Sequence, residues 1–489
     1  MRIVVSTDEF DAIPKRPSGF GPAATYLGFR GPYADGPPAR DLEVDVPPLE
    51  RFGVRELRRM IVVYTVLLLR ITGALLGALV RGRYRRLWSV ASNGAVDAFE
   101  ELGPTFVKLG QIIASSPGLF PAPLATAAQR CLDEMTPFDG RTAREMIRRD
   151  LGRPPSAIFK RFDEVPLSAA SIGQVHACVL PDGREAVIKL QRPNIRDQMK
   201  TDLRISYRLA RTLERRLAFA RNANVAAWVE EMHSVTFSEL NPALEAWRQH
   251  RFREKIHAFG DNYWVTAPEI YWNYCGPHMI CMERMSGIPI DEFDAIRRRG
   301  VDGELVLRRG AKTWLEAVVL HGPFHGDLHA GNLWVLDDGR SSYLDFGIMG
   351  ELPDDYKQLI KDLFYTFIFD RDFSRVARAY KHLGIISEDA GTDEEVGLRL
   401  EMVLAPMLGT SSGMSLSDFI ESSLNMMRQY GIAAPRELVL FSKQLLYIER
   451  YIKGLAPKWD FATDLFLVKN IFPEDAATKA AEMGVVLPD

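Results

Sequence analysis

The hydrophobic pattern changes period several times along the chain, and each change predicts an element. Residues 60–80 read MIVVYTVLLLRITGALLGALV, apolar throughout except for Arg70 and two threonines. Arginines flank the run on both sides: Arg55, Arg58 and Arg59 before it, Arg81, Arg83, Arg85 and Arg86 after it. About 20 apolar residues suffice to cross a bilayer, but an arginine at the centre costs roughly 2.5–3.5 kcal/mol on insertion scales. Basic residues at both ends also fix no orientation. The run is therefore read first as a helix lying on an anionic membrane surface, second as a packing helix, and only third as a span. Residues 94–150 keep Ala, Leu, Glu and Arg at helical spacing. At 177–192 the period drops to two around Pro181-Asp182-Gly183, which predicts a β-hairpin. Helices are expected at about 197–221 and 225–257, then a second hairpin-like region at 264–285. After residue 302 the pattern is helical again, interrupted by a loop-and-strand section at 325–348.

Composition narrows the class. The 489 residues suit two or more domains, and 47% hydrophobic content is ordinary for a globular core. A net charge of −3 gives no general pull toward nucleic acid, so no nucleic-acid partner is expected. The four cysteines, Cys131, Cys178, Cys275 and Cys281, form no C-x-x-C pair and are read as free thiols in a reducing compartment. Ser6, Asp8, Glu9 and Asp11 break the short apolar start, which fits neither a secretory signal nor a transit peptide. Residues 14–48 are rich in Pro and Gly without periodicity, as in a loosely packed arm.

The polar chemistry concentrates in HGDLHAGNLWVLDDGRSSYLDFGIMG. Asp327 and Asn332 lie five apart, and Asp345 opens Asp-Phe-Gly eighteen residues after Asp327. Phosphoryl transfer needs carboxylate and amide oxygens to hold Mg2+ on the phosphates, and a group that positions the acceptor. Asp-x4-Asn followed by a strand ending in Asp-Phe-Gly supplies them in kinase order, with Asp327 as catalytic residue and Asn332 and Asp345 as metal ligands. A turn with a capping aspartate explains one such motif but poorly explains two at this spacing. Upstream, Lys189 closes the second strand of the hairpin, where an ammonium suits the α- and β-phosphates. Glu245, in SELNPALEAWRQ, is its best helical partner.

Four segments resemble the UbiB/AarF family of atypical, protein-kinase-like proteins. Lys108-Leu109-Gly110-Gln111 is similar to its KxGQ motif, and Ala169-Ala170-Ser171-Ile172-Gly173-Gln174-Val175 to its alanine-rich loop. HGDLHAGN resembles its catalytic loop, and ELVLFSKQLLYIERYIKGLAPKWD its C-terminal helix signature. The likeness covers roughly residues 91–472. It implies an α+β, bilobal kinase-like fold with a small β-containing N-lobe, a helical C-lobe and an N-terminal helical extension. Expected bounds are an arm at 1–50, the extension at 51–150, the N-lobe with a helical insert at 151–285 and the C-lobe at 286–489. It implies ATP or ADP with Mg2+ as ligands, and ATPase activity linked to isoprenoid quinone biosynthesis or lipid homeostasis. Lys108, Gln111 and Glu239 take lid roles over the active site. Ala169, Ala170, Ser171, Gly173, Lys189, Glu283 and Met285 are assigned to the nucleotide, and Glu245 to the ion pair. A lipid or polyprenyl-quinone-type ligand and a cytoplasmic, peripherally membrane-associated location follow as expectations.

The sequence departs from the family pattern at Asn241, where the ExD motif has aspartate, at Ser116 and Gly118 after KxGQ, and at Ala330 in the catalytic loop. Asn241 keeps an oxygen but loses a charge, so an altered metal affinity or nucleotide preference is expected. Two other classes stay open: a small-molecule kinase of the aminoglycoside or choline kinase type, and a non-catalytic nucleotide-dependent scaffold. The first typically lacks Phe-Gly after its second metal aspartate and has no KxGQ lid. The second is opposed by intact Lys189, Glu245, Asp327, Asn332 and Asp345.

Overall fold

The computed structural model describes residues 2–3, 29–82, 86–114, 120–132, 135–216, 221, 224–258, 261–404 and 436–488. Arg83, Arg85, Ser116 and Gly118 lie outside them. The chain divides into two compact units, residues 1–247 with 270–284, and residues 248–269 with 285–489.

The first unit opens with helices α1 (Val54–Val80), α2 (Leu87–Leu102), α3 (Pro104–Ala114), α4 (Ala122–Ala128) and α5 (Gly140–Leu151). Val96, Phe99, Leu102, Phe106, Val107 and Ile113 form a core of their own beneath α1. The sheet follows, with β1 (Arg161–Phe162), β2 (Ser168–Ala169), β3 (Gly173–Val179), β4 (Glu185–Gln191) and, later, β6 (Met279–Glu283). Its order is β1-β3-β4-β6, all antiparallel, with β2 on β3. The expected β3–β4 hairpin turns at Pro181-Asp182-Gly183: Leu180 N–H donates to Arg184 O at 2.9 Å, and Gly183 has φ +93°. Helices α6 (Ile195–Arg216), α7 (Val225–Glu239) and α8 (Pro242–Ala258) succeed it. The expected single helix at 225–257 is thus two, because Pro242 cannot donate into a continuing helix. Ile188, Leu190, Ile147, Met199, Leu203 and Leu244 are among the buried residues of this unit's main core.

Residues 264–285 are not a hairpin. Val265–Thr266 (β5) runs parallel to residues 341–342 of the second unit, while Met279–Glu283 joins the first unit's sheet. Only short bridges, Ile270 to Met282 and Gly276 to Met279, link the stretch internally. Residues 248–269, expected with 151–285, accordingly belong to the second unit.

That unit holds β7 (Gly287–Pro289), α9 (Gly303–Glu316), β8 (Phe324–His325), β9 (Leu333–Leu336), β10 (Ser341–Tyr343) and β11 (Met349–Gly350). Its sheet order is β5-β10-β9-β7, and β8 pairs with β11 separately. Helices α10 (Asp354–Tyr365), α11 (Phe373–His382), α12 (Asp393–Leu404), α13 (Arg436–Leu455) and α14 (Pro473–Met483) complete it. Trp314, Phe346, Phe441 and Tyr451 lie in its main core. All four cysteines are buried free thiols, and burial pushes the Cys275 thiol up to about 12.

Candidate active site

In the first unit, Lys189 sits in β4 between Val175 of β3 and Ile280 of β6, so strands on both sides fix its backbone. Its ammonium is 2.6 Å from Glu245 Oε1, with the side chains 15% and 4% exposed. Glu245 lies in the first turn of α8. Asn241 caps that turn: its Oδ1 accepts from Leu244 N–H at 3.0 Å, and its Nδ2 donates to Glu43 O at 3.2 Å. Its side chain is thereby engaged at both ends.

The alanine-rich segment forms a tight turn, with Ala170 N–H donating to Gly173 O at 2.8 Å. Ala169 and Ser171 are buried, and Ala170 is exposed. Gly173 has no room for a side chain, since a Cβ would strike the Leu190 carbonyl. Arg192 fastens the turn, donating from Nε to Ala170 O at 2.9 Å and from Nη2 to Thr136 O at 3.0 Å. Met135 N–H donates to Ala169 O at 2.9 Å, so the chain leaving the helical extension is bonded to this loop.

Lys108 of α3 forms an ion pair with Glu239 at the end of α7, both largely buried. Gln111 Nε2 donates to Cys131 O at 2.9 Å, and a Cβ at Gly110 would collide with the Cys131 sulfur. Gln191 Nε2 donates to Leu240 O at 3.0 Å. The Glu239-Leu240-Asn241 corner is therefore held from three directions: by Lys108, by the strand carrying Lys189, and by the cap of the helix carrying Glu245. Glu283 ends β6 opposite Ala186, away from the Lys189 row, and Met285 begins the next segment of the second unit.

In the second unit, His325 organises the carboxylates. It is fully buried, and burial pushes its ring below the usual histidine range despite hydrogen bonds and nearby carboxylates that oppose this. Neutral, it accepts Asp327 N–H at Nδ1, 3.2 Å away, and donates from Nε2 toward the Leu344 and Asp345 carbonyls, each at 3.0 Å. One ring thus ties the backbone of Asp327 to that of Asp345. Trp314 Nε1 donates to His325 O at 3.0 Å, and Phe346 packs edge-on to the imidazole at 5.1 Å. Leu344 N–H donates to Asn332 O at 2.8 Å, closing the two motifs further.

Asp345 adopts φ +55°, a left-handed conformation that aspartate tolerates better than most residues. It is exposed while Phe346 is buried. Asn332 Nδ2 donates to Asp327 O at 3.0 Å, which leaves its Oδ1 as the oxygen for a ligand. Among the described residues no group of three or more His, Cys, Asp or Glu could hold a metal. Mg2+ usually takes one or two protein oxygens and completes its shell with phosphates and water. Asn332 and Asp345 are hard oxygen donors of that kind.

Several residues escaped sequence reading. Gln444 of α13 bridges the catalytic loop, accepting Leu328 N–H and donating to Gly326 O, both at 2.7 Å. Tyr451 O–H donates to Leu328 O at 2.7 Å. Arg248 Nη1 donates to Gly347 O at 3.2 Å. His325 had a signal, since it opens HGDLHAGN two residues before Asp327. Gln444 and Tyr451 lie in the segment that resembles the family's C-terminal helix signature, but nothing in their spacing set them apart from other positions of an amphipathic helix.

Residues 130–380 match the ABC1 atypical kinase-like domain, and residues 400–460 the UbiB helical domain. An uncharacterized protein of Mycobacterium tuberculosis is 36% identical over 370 residues, 75% of each chain. A probable protein kinase UbiB from Erwinia tasmaniensis is 33% identical over 369 residues, 74% of this chain and 67% of that one. One from Aeromonas salmonicida is 34% identical over 391 residues, 78% and 70%. A solved M. tuberculosis protein in complex with erythromycin, 21% identical, covers 80% of this chain and 100% of its own at a TM-score of 0.45.

Proposed function

Since the chain belongs to the ABC1 and UbiB family of atypical kinase-like proteins, we propose that it is a Mg2+-dependent ATPase or phosphotransferase acting at a membrane surface. The observation that carries this reading is the His325 bridge, which holds an acceptor-positioning aspartate and a metal-type aspartate in one rigid backbone unit. Such chemistry asks for positioning and charge, not for covalent catalysis. Mg2+ held by Asn332 and Asp345 would neutralise phosphate charge.

In this reading Asp327 orients a water or hydroxyl group and takes its proton. A bond forms between the acceptor oxygen and the γ-phosphorus, the bond to the β,γ-bridging oxygen breaks, and ADP leaves with its electron pair. The Lys189–Glu245 pair and the alanine-rich turn of 169–173 are assigned to the nucleotide phosphates in this reading. The KxGQ residues act as a lid, held by Lys108 on the Glu239 corner and by Gln111 on Cys131 O. A membrane lipid or polyprenyl-phenol is the acceptor or regulator, supported by the exposed apolar length of α1. In the proposed setting the protein is cytoplasmic and binds the membrane peripherally.

Measuring Mg2+-dependent ATP turnover with and without anionic liposomes and polyprenyl-phenols tests the reading. Asp345→Asn is expected to abolish the Mg·ATP thermal shift. Asp327→Asn should keep that shift and lose turnover. An undiminished shift in the first variant, or parental turnover in the second, overturns the assignment.

A further inference from the structure

The loop His325-Gly-Asp-Leu-His-Ala-Gly-Asn332 contains no lysine or arginine. Transfer of a phosphoryl group spreads negative charge over its oxygens next to the acceptor-positioning carboxylate, and a fixed cation there lowers the barrier. Helix α13 brings one. Lys443 Nζ stands 3.5 Å from Asp327 Oδ1, beyond the length of a tight ion pair, and its side chain is 45% exposed against 19% for Asp327. The other carboxylate oxygen faces His329 Nε2 at 3.5 Å. His329 Nδ1 accepts Gly331 N–H at 3.0 Å, so it is Nε2 that carries the proton in the neutral ring.

The lysine is not carried by a loosely placed helix. Its neighbour Gln444 is fully buried and bonds both sides of the Asp327 backbone, and Tyr451 two turns on bonds Leu328 O. The backbone that carries Lys443 is therefore fixed to the 325–332 loop itself. From this geometry we propose that Lys443, contributed by the segment matching the UbiB helical domain, is the catalytic cation of the transferring phosphoryl group. Gln444 and Tyr451 are positioning residues for it and for Asp327. The inference rests on the ATP-directed reading above.

The test uses the full chain with Lys443→Met and Lys443→Arg, measuring steady-state Mg·ATP turnover and thermal shifts with Mg·ADP and Mg·ATP. For Lys443→Met, kcat is expected to fall about tenfold to a hundredfold, a little under the loss from removing a fully enclosed donor. Its ADP shift should match the parent's while its ATP shift shrinks, because only ATP carries the γ-phosphate. Lys443→Arg should recover most of the turnover. Parental turnover in Lys443→Met overturns the assignment alone. So does an equal loss of both shifts together with a lower unliganded Tm, which marks a structural role. Absence of any Mg2+-dependent turnover in the parent overturns the ATP reading and this inference together.

Discussion

Asn241 stands where the resembled motif has aspartate, and the lost charge suggests an altered metal affinity or nucleotide preference. In the structure its oxygen caps α8 and its amide nitrogen holds Glu43 O. A capping role explains the tolerance of the exchange, because Asn and Asp cap helices about equally well. Asn241→Ala is expected to lower stability by about 1 kcal/mol, the usual loss on deleting a cap, read as a shift in denaturant midpoint. Asn241→Asp should cost less, keeping the cap while losing the bond to Glu43. Neither should change the Mg2+ concentration that half-saturates the ATP-induced thermal shift. A clear gain in Mg2+ affinity in Asn241→Asp would restore the metal-ligand role. At this scale the local pairings were largely legible: Asp327, Asn332 and Asp345 come together around His325, and Lys189 pairs with Glu245, as their types and spacings suggested. Gln444 and Tyr451 were not, since an amide or phenol on an amphipathic helix gains meaning only from the backbone groups it meets.

Helix α3 illustrates how an element differs from its motif. Lys108 and Gln111 read as a lid from sequence likeness, and in the structure both, with the tightly packed Gly110 between them, are engaged within the first unit. Lys108→Ala would leave the nearly buried Glu239 carboxylate without its cation. Breaking a fully buried pair costs roughly 3–5 kcal/mol, and this one, slightly solvated, is expected at about 2 kcal/mol. Adding Glu239→Gln should return part of that loss, and a double-mutant cycle without coupling would show the contact to be idle. The lid claim needs its own readout. Lys108→Ala, Gln111→Ala and Ala169→Gly should each alter the preference between ATP and ADP or release self-phosphorylation, since Met135 and Arg192 couple the extension to the alanine-rich turn. Parental labelling with radioactive ATP in all three would leave the motif without a mechanism. Elements were legible wherever a local rule decided them, as in the β3–β4 turn. The supposed hairpin at 264–285 failed because alternation cannot say which partner a strand takes, and β5 and β6 pair with strands far away in sequence.

For the molecule as a whole, the open question is how α1 meets its surroundings. The helix spans 27 residues and is long and apolar enough to cross a membrane. Yet one face is committed to protein. Arg59 bonds Asp202 at 2.8 Å and Leu102 O at 2.7 Å, Glu56 pairs with Arg204 at 2.9 Å, and Arg70 pairs with Glu101 at 2.6 Å. Crossing the bilayer would strip these partners from charges that hydrocarbon cannot solvate. The opposite face leaves Leu68 63%, Leu69 64% and Leu76 62% exposed, with Trp88 exposed just beyond the helix. An apolar stripe beside basic residues suits shallow burial among anionic headgroups, with Arg70 already neutralised by Glu101. Replacing Leu68, Leu69 and Leu76 together by Ser is expected to lower co-sedimentation with anionic vesicles severalfold while leaving the Mg·ATP thermal shift unchanged. Changing Arg81, Arg83, Arg85 and Arg86 to Gln should weaken binding as well, and should remove most of its salt sensitivity, because screening acts on the Coulombic part alone. Equal sedimentation of parent and variants would mean that this face is covered by protein instead. Resistance of the parent to alkaline carbonate extraction would mean that α1 leaves α2 and spans the bilayer after all.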